Sequence, residues 1–330
     1  MIFATIILKV QKTNRLANFL YNLLVNYTHL RKVPVISKVW NTLWRWQITY
    51  YKGLVLSKIH GENVILTNGH CYSLVCRMYP KFNQPLFSVV RSILNSSTKN
   101  IIVVDVGTAV GDTVLFLETN FPKRIDHFVC IDGDAEFFSF QEYNLSTIAN
   151  KSTKVFSLLS DKQELTNTID KKEPTTGSAI GLEKAMSKTL DQVLQETGFQ
   201  NPDLIKIDID GYDGKAIGGA IQTLKNAKPV VIFEWNTPLF NLVNSDILQP
   251  FEVLQAAGYD RFIWFSNKGD FLNIEYGFNA NTLKEMELFS TAMYKKNGHH
   301  FDIIALHKES PLSATDIAII NETQNQTSPY

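Results

Sequence analysis

From Asn100 onward the chain alternates short apolar runs with stretches of helical spacing. The run IIVVDVG (101–107) is β-branched and closes on an acid and a glycine. That is the pattern of a strand buried on both faces. The spacing predicts a helix from Asp112 to about Thr119, a second buried strand at 127–132 (HFVCID) and a helix over 135–149. A third strand is expected at 154–159, a short helix at TLDQVLQETG, and a strand at 203–208 (DLIKID). Then follow a helix at 215–226, a strand at 230–234 (VVIFE), a helix near 250–257 and strands at 259–265 and 301–307. Strands alternating with helices predict a parallel sheet covered on both faces. Ligands of such sheets bind beyond the C-terminal strand ends, where the strand order reverses.

The flanks differ. Residues 1–50 read as helical, with aromatic residues at mixed spacing and Arg15, Arg31, Lys32, Lys38 and Arg45 scattered among them. A helical cap over the main domain is the first reading, and a membrane-surface helix the alternative. Residues 53–75 suggest short strands with a turn near Asn68-Gly69, and 84–95 a helix. The stretch 161–188 is polar, centred on Pro174 and Gly177, and reads as an inserted loop or small hairpin at the ligand edge. The expected organisation is an accessory segment 1–95, a catalytic domain 96–309 containing that insert, and a flexible tail 310–330.

Lys plus Arg equals Asp plus Glu at 32 each, so no global basic surplus argues for a nucleic-acid partner. Cys71, Cys76 and Cys130 form no CxxC pair. Neither a disulfide framework nor a cysteine zinc site is expected, and a reducing, cytoplasmic setting fits. No run reaches the ~18 to 20 apolar residues of a transmembrane segment.

The candidate chemistry sits at strand ends. In DVGTAVGDT (105–113), Asp105, Gly107, Thr108, Ala109, Gly111 and Asp112 form a turn leading into a helix N-terminus. Its glycine spacing is not the G-x-G-x-x-G of nicotinamide binders. It suits a turn beneath the amino-acid half of S-adenosylmethionine. Asp132, followed by Gly133, ends the second strand, where a carboxylate can accept two hydrogen bonds from a ribose diol. Ser160 and Asp161 follow the third strand and are further candidates for cofactor contact. Lys206, Asp208 and Asp210 alternate, so a continuing strand would put them on one side. Asp208, Asp210 and Glu234 are the candidate catalytic residues, able to orient an acceptor hydroxyl and take its proton. A metal is not expected. His299-His300 follows a glycine and reads as surface loop.

Together these residues resemble the FkbM family of methyltransferases over about 85–307. DVGTAVGDT resembles that family's Asp-Val-Gly-Ala-Asn-x-Gly turn, and VCIDGD its second-strand segment. TLDQVLQETGFQNPDLIKIDIDGYDGKAIGGA (189–220) is similar to its Thr-Leu-Asp helix and Ile-Lys-Ile-Asp-Val-Glu-Gly-x-Glu strand end. Ala109 replaces an Asn, Gly133 a Pro, and Asp132, Asp210 and Asp213 each replace a Glu. The resemblance implies a Rossmann-like class I methyltransferase fold, a seven-stranded, mostly parallel sheet with a final antiparallel strand. It also implies S-adenosylmethionine as cofactor and O-methylation of a sugar, glycan or other small-molecule acceptor through a hydroxyl or carboxyl oxygen. The alternatives are a nucleotide-dependent oxidoreductase and a non-catalytic binding protein of the same fold.

Overall fold

Two helices, α1 (Arg15–Asn26) and α2 (Pro34–Tyr50), fold back on each other through a 3-10 turn at Thr28–Lys32. The Asn14 side chain accepts from the Leu16 and Ala17 N–H groups and so caps α1. Pro34 opens α2, where its missing N–H is no loss. The computed structural model describes residues 14–169 and 181–324. Beneath α1 lies an antiparallel hairpin, β1 (Leu54–Ile59) and β2 (Glu62–Thr67). Its turn is His60-Gly61, both at positive φ (50° and 87°), the two-residue form that matches strand twist. The turn expected near Asn68-Gly69 is present; it follows β2 and leads into α3 (Tyr72–Met78). Helix α4 (Gln84–Ser96) comes next.

The main sheet has eight strands. Three of them, β3 (Ile101–Val106), β4 (Ile125–Asp132) and β5 (Ser152–Phe156), are laid down outward in one direction. The hairpin β6 (Leu165–Asn167) and β7 (Lys184–Met186) interrupts. The centre of the expected insert, with Pro174 and Gly177, lies outside the described residues. Then β8 (Leu204–Ile207) pairs with the other side of β3, and β9 (Val230–Trp235) continues that way, all parallel. The strand order therefore reverses between β3 and β8. Past β9, β10 (Tyr259–Ser266), β11 (Phe271–Tyr276) and β12 (Phe301–His307) complete an order β11-β10-β12-β9-β8-β3-β4-β5. Strand β12 inserts antiparallel between β9 and β10. This is the Rossmann-like arrangement expected, with β11 added antiparallel on the edge as an eighth strand. Its sequence FLNIEY exposes Asn273 and has little alternation to mark it.

Alternate residues of the buried strands serve two cores. Val103, Phe128 and Leu204 face a core shared with Tyr21, Val55 and Leu86 of the N-terminal segment. Val104, Ile131, Ile207 and Phe233 face the other. The helix expected at 135–149 ends at Asn144 and gives way to a 3-10 turn, and that at 215–226 breaks at Gly219. A β-carbon at Gly219 would lie 2.4 Å from the Ser160 carbonyl. The tail expected to be flexible is helical at Ala314–Thr323, capped by Ser313. Its Ile317 is buried in the core shared with α4, which is why it is ordered there. No helix among the described residues is long and apolar enough to cross a membrane.

Candidate functional site

A cavity of about 510 Å³ opens at the C-terminal ends of β3, β4, β8 and β9. Its first wall is the turn after β3. Gly107 has φ 82°, and a β-carbon there would lie 1.9 Å from the Asp208 carbonyl oxygen, so only glycine lets the two loops meet. The Gly107 and Thr108 N–H groups donate to the Ile131 carbonyl (2.9 and 3.2 Å). The Ala109 N–H donates to Asp132 Oδ2 (2.7 Å), and the Asp134 N–H to Asp132 Oδ1 (2.8 Å). One carboxylate thus ties the turn after β3 to the turn after β4. Gly107, Ala109, Asp112, Asp132 and Gly133 line the cavity.

The other cofactor candidates stand back from it. Thr108 is fully buried, its hydroxyl donating to the Asp105 carbonyl (2.7 Å). Gly111 (φ 90°) serves as the N-cap of the helix Asp112–Asn120. Ser160 donates to Asp161 and Glu164, and Asp161 packs on Gly218, so neither faces the cavity. Because β5 ends at Phe156, earlier than expected, Ser157 and Leu158 take the place on the cavity wall.

The floor is a set of acids around two cations. Lys206 Nζ lies 3.7 Å from Asp105 Oδ1 and 3.1 Å from Asp208 Oδ2. Asp105 is wholly buried, and burial pushes its carboxyl up against the pull of Lys206. Burial, with Asp105 and Asp208 adding repulsion, raises Asp112 to about 7 although Lys206 opposes it. Asp208 lines the cavity and keeps about half of its side chain (49%) exposed there. Burial and Glu234 push its carboxyl up, and Lys206 restrains it. Strand β8 stops at Ile207, and Asp210 takes φ 50°, so the expected alternation on one strand fails. Asp210 still lines the cavity, through a left-handed turn pressed against Leu239 at Gly211.

His300, expected on the surface, lines the cavity instead. Its Nε2 lies 2.8 Å from Glu234 Oε1 and its Nδ1 3.0 Å from the Gly298 carbonyl. Both partners offer acceptor oxygens, an arrangement that favours an imidazolium with both ring nitrogens protonated. Burial opposes that charge, but Glu234 raises His300 to about 9. Burial likewise opposes the Glu234 carboxylate, and His300 together with the Asn236 amide holds it at about 2. Burial and the neighbouring acids leave Asp302 at about 7 despite His300. Among the described residues no His/Cys/Asp/Glu group is placed to hold a metal ion.

The outer chamber comes from elements far apart in sequence. His70, Tyr72, Tyr79 and Phe82, on and around α3, form one side. Lys268, in the turn between β10 and β11, stands 4.8 Å above the Tyr79 ring. A β-carbon at Gly269 would strike the Lys81 carbonyl at 1.6 Å, and Asn321 donates to the Gly269 carbonyl, so the turn is clamped on both sides. Neither Lys268 nor these rings stood out in the sequence, since no local spacing links them.

Residues 105–261 match the family described as Methyltransferase FkbM domain. No curated protein matches the chain. Among solved structures, the chain is similar to a methyltransferase FkbM from Methylobacillus flagellatus KT, at 18% identity and TM-score 0.35. That match covers 45% of this chain and only 37% of the other's length. An O-methyltransferase from Bacillus cereus in complex with SAH matches at 14% identity over 68% of this chain and 80% of its own, TM-score 0.38. A SAM-dependent methyltransferase from Aquifex aeolicus matches at 13% identity over 71% and 97%, TM-score 0.35. Likeness of this degree adds nothing to the strand order described above.

Proposed function

We propose that this chain, which carries an FkbM-family methyltransferase domain at residues 105–261, transfers the methyl group of S-adenosylmethionine to a hydroxyl oxygen of a small-molecule or glycan acceptor. The observation that carries this reading is the meeting of the Gly107 turn, Asp132 and Asp208 around one cavity at the reversal of strand order.

The residues fit the cofactor. Asp132, at the end of β4 on the cavity wall, would hold the ribose diol through its carboxylate. The Gly107–Ala109 turn, with Asp112 behind it, would take the amino-acid end, and Ser157 and Leu158 the base. The acid-rich floor favours a cation. When bound, S-adenosylmethionine supplies a methyl already activated on a positive sulfur. Asp208 faces the cavity, with its carboxyl raised above the usual carboxylate value by burial and Glu234 against the pull of Lys206. It would align the acceptor hydroxyl and take its proton. Glu234, held ionised by His300, would orient the same hydroxyl without taking the proton. The aromatic chamber would exclude water around the aligned pair. Thr166 and Ile169 of the insert also line the cavity, so the insert would help select the acceptor.

The test is incubation with S-adenosylmethionine labelled in its methyl group and an extract of the protein's own source. A labelled methyl ether is expected, with Asp208→Asn slowing a single turnover by ~10²- to 10⁴-fold. Cofactor affinity should change little. No labelled product, or label on nitrogen, contradicts the reading.

A further inference from the structure

The two N-terminal helices have an apolar face turned to water. On α1 the inward face is Tyr21, Leu24 and Val25, all buried, while Leu16, Phe19 and Leu23 point outward. On α2, Trp40 and Gln47 face inward. Val35, Val39, Leu43, Trp46 and Tyr50 recur outward at helical spacing, with Val35 75% and Tyr50 74% exposed. These faces are fixed by internal contacts. The Tyr21 hydroxyl donates to the His70 carbonyl (2.6 Å), and the Gln47 amide to Ala17 O and Asn68 Oδ1 (3.0 and 2.7 Å). An ordinary amphipathic helix would present polar residues here, and contiguous exposed apolar surface of this kind marks an interaction site.

Charge identifies the partner. The first 61 residues hold nine Lys and Arg and no acid, and all 32 acidic residues of a chain with zero net charge come later. Lys38 and Arg45 are exposed and flank Val39 and Trp46 on the rim of the stripe, and Lys32 and Lys52 stand exposed near its two ends. An apolar stripe edged by cations, with a Trp and a Tyr on it, is the chemistry of a helix lying in the interface of an anionic bilayer. We infer that α1 and α2 dock this protein on a negatively charged lipid surface, with Phe19, Val39 and Trp46 entering the headgroup boundary. A protein partner or a second copy would have to supply acids to match these cations, and the stripe itself offers none to a copy of itself.

The test is co-sedimentation of the full chain with phosphatidylcholine vesicles, with and without phosphatidylserine. Binding is expected with phosphatidylserine, weakly or not at all without it, and reduced at high salt. Phe19→Ser with Trp46→Ser, and separately Lys38→Gln with Arg45→Gln, should each lower the partition coefficient roughly tenfold. The side chains are exposed, so the thermal midpoint should not move, and a circular-dichroism melt checks that. Absence of wild-type binding overturns the inference, as do equal binding to both vesicle types and variants that bind like the wild type. So does gel filtration in which the wild type self-associates, the serine variant is monomeric and vesicles capture neither.

Discussion

Gly107 and the carbonyl of Asp208 pack so closely that a β-carbon at 107 would lie 1.9 Å from the oxygen. The contact joins the turn proposed to hold the cofactor to the loop proposed to hold the acceptor. Gly107→Ala should therefore both strain a φ of 82° and push Asp208 aside. A loss of about 1–3 kcal/mol in stability is expected, with weaker S-adenosylhomocysteine binding. Chemical denaturation and calorimetry on the same preparation check this. A variant with wild-type stability and affinity would show that the two loops are not in contact.

Ala109 makes a second backbone prediction. It sits at φ 47°, where an alanine is strained and an asparagine is tolerated. The family resemblance places an Asn at this position, so the left-handed backbone explains the preference without any ligand contact. Ala109→Asn should raise stability by up to about 1 kcal/mol. A lower thermal midpoint in the variant would contradict this account of the turn.

The Glu234–His300 pair predicts a pH dependence. His300 rises from an ordinary 6.5 to about 9, so its stabilisation is full below 6.5 and lost as pH climbs through 9. Glu234 falls from 4.5 to about 2, so its part is full above 4.5 and lost as pH drops through 2. The pair is at full strength between 4.5 and 6.5. Asp112 and Asp302, raised from 3.8 to about 7, lower stability as pH climbs from 3.8 to 7 and add no slope above it, so the decline beyond 7 belongs to His300. Wild-type stability should decline from pH 6.5 to 9, and His300→Gln should flatten that decline. Replacing His300 alone, which leaves the Glu234 carboxylate without its cation, should lower neutral-pH stability by about 1.5–3 kcal/mol. Parallel slopes in urea titrations of the two proteins would contradict the assignment.

What the chain discloses in advance follows from locality. IIVVDVG and VVIFE are legible because a strand buried on both faces is a continuous apolar run, and the site acids sit directly after such runs. Asp208 and Glu234 were visible for that reason. His300 and Lys268 were not. Each follows or precedes an ordinary strand, and meets the site only because β12 inserts beside β9 and β10 ends at the same edge. The boundary of the third strand was less legible: β5 ends at Phe156, so Ser157 and Leu158 rather than Ser160 and Asp161 line the cavity wall. The tail helix was hidden because Ile317 and Ile320 acquire meaning only against α4.

The measurement that bears most directly on the cofactor is a calorimetric titration of the full chain with S-adenosylhomocysteine and, separately, with NAD. Saturable binding of the first and none of the second is expected. In Asp132→Ala the affinity should fall by about 1.5–3 kcal/mol. The thermal midpoint should fall too, because the Ala109 and Asp134 N–H groups lose their acceptor. Binding of NAD in preference, no binding of either, or an unchanged affinity in a folded Asp132→Ala variant would contradict it.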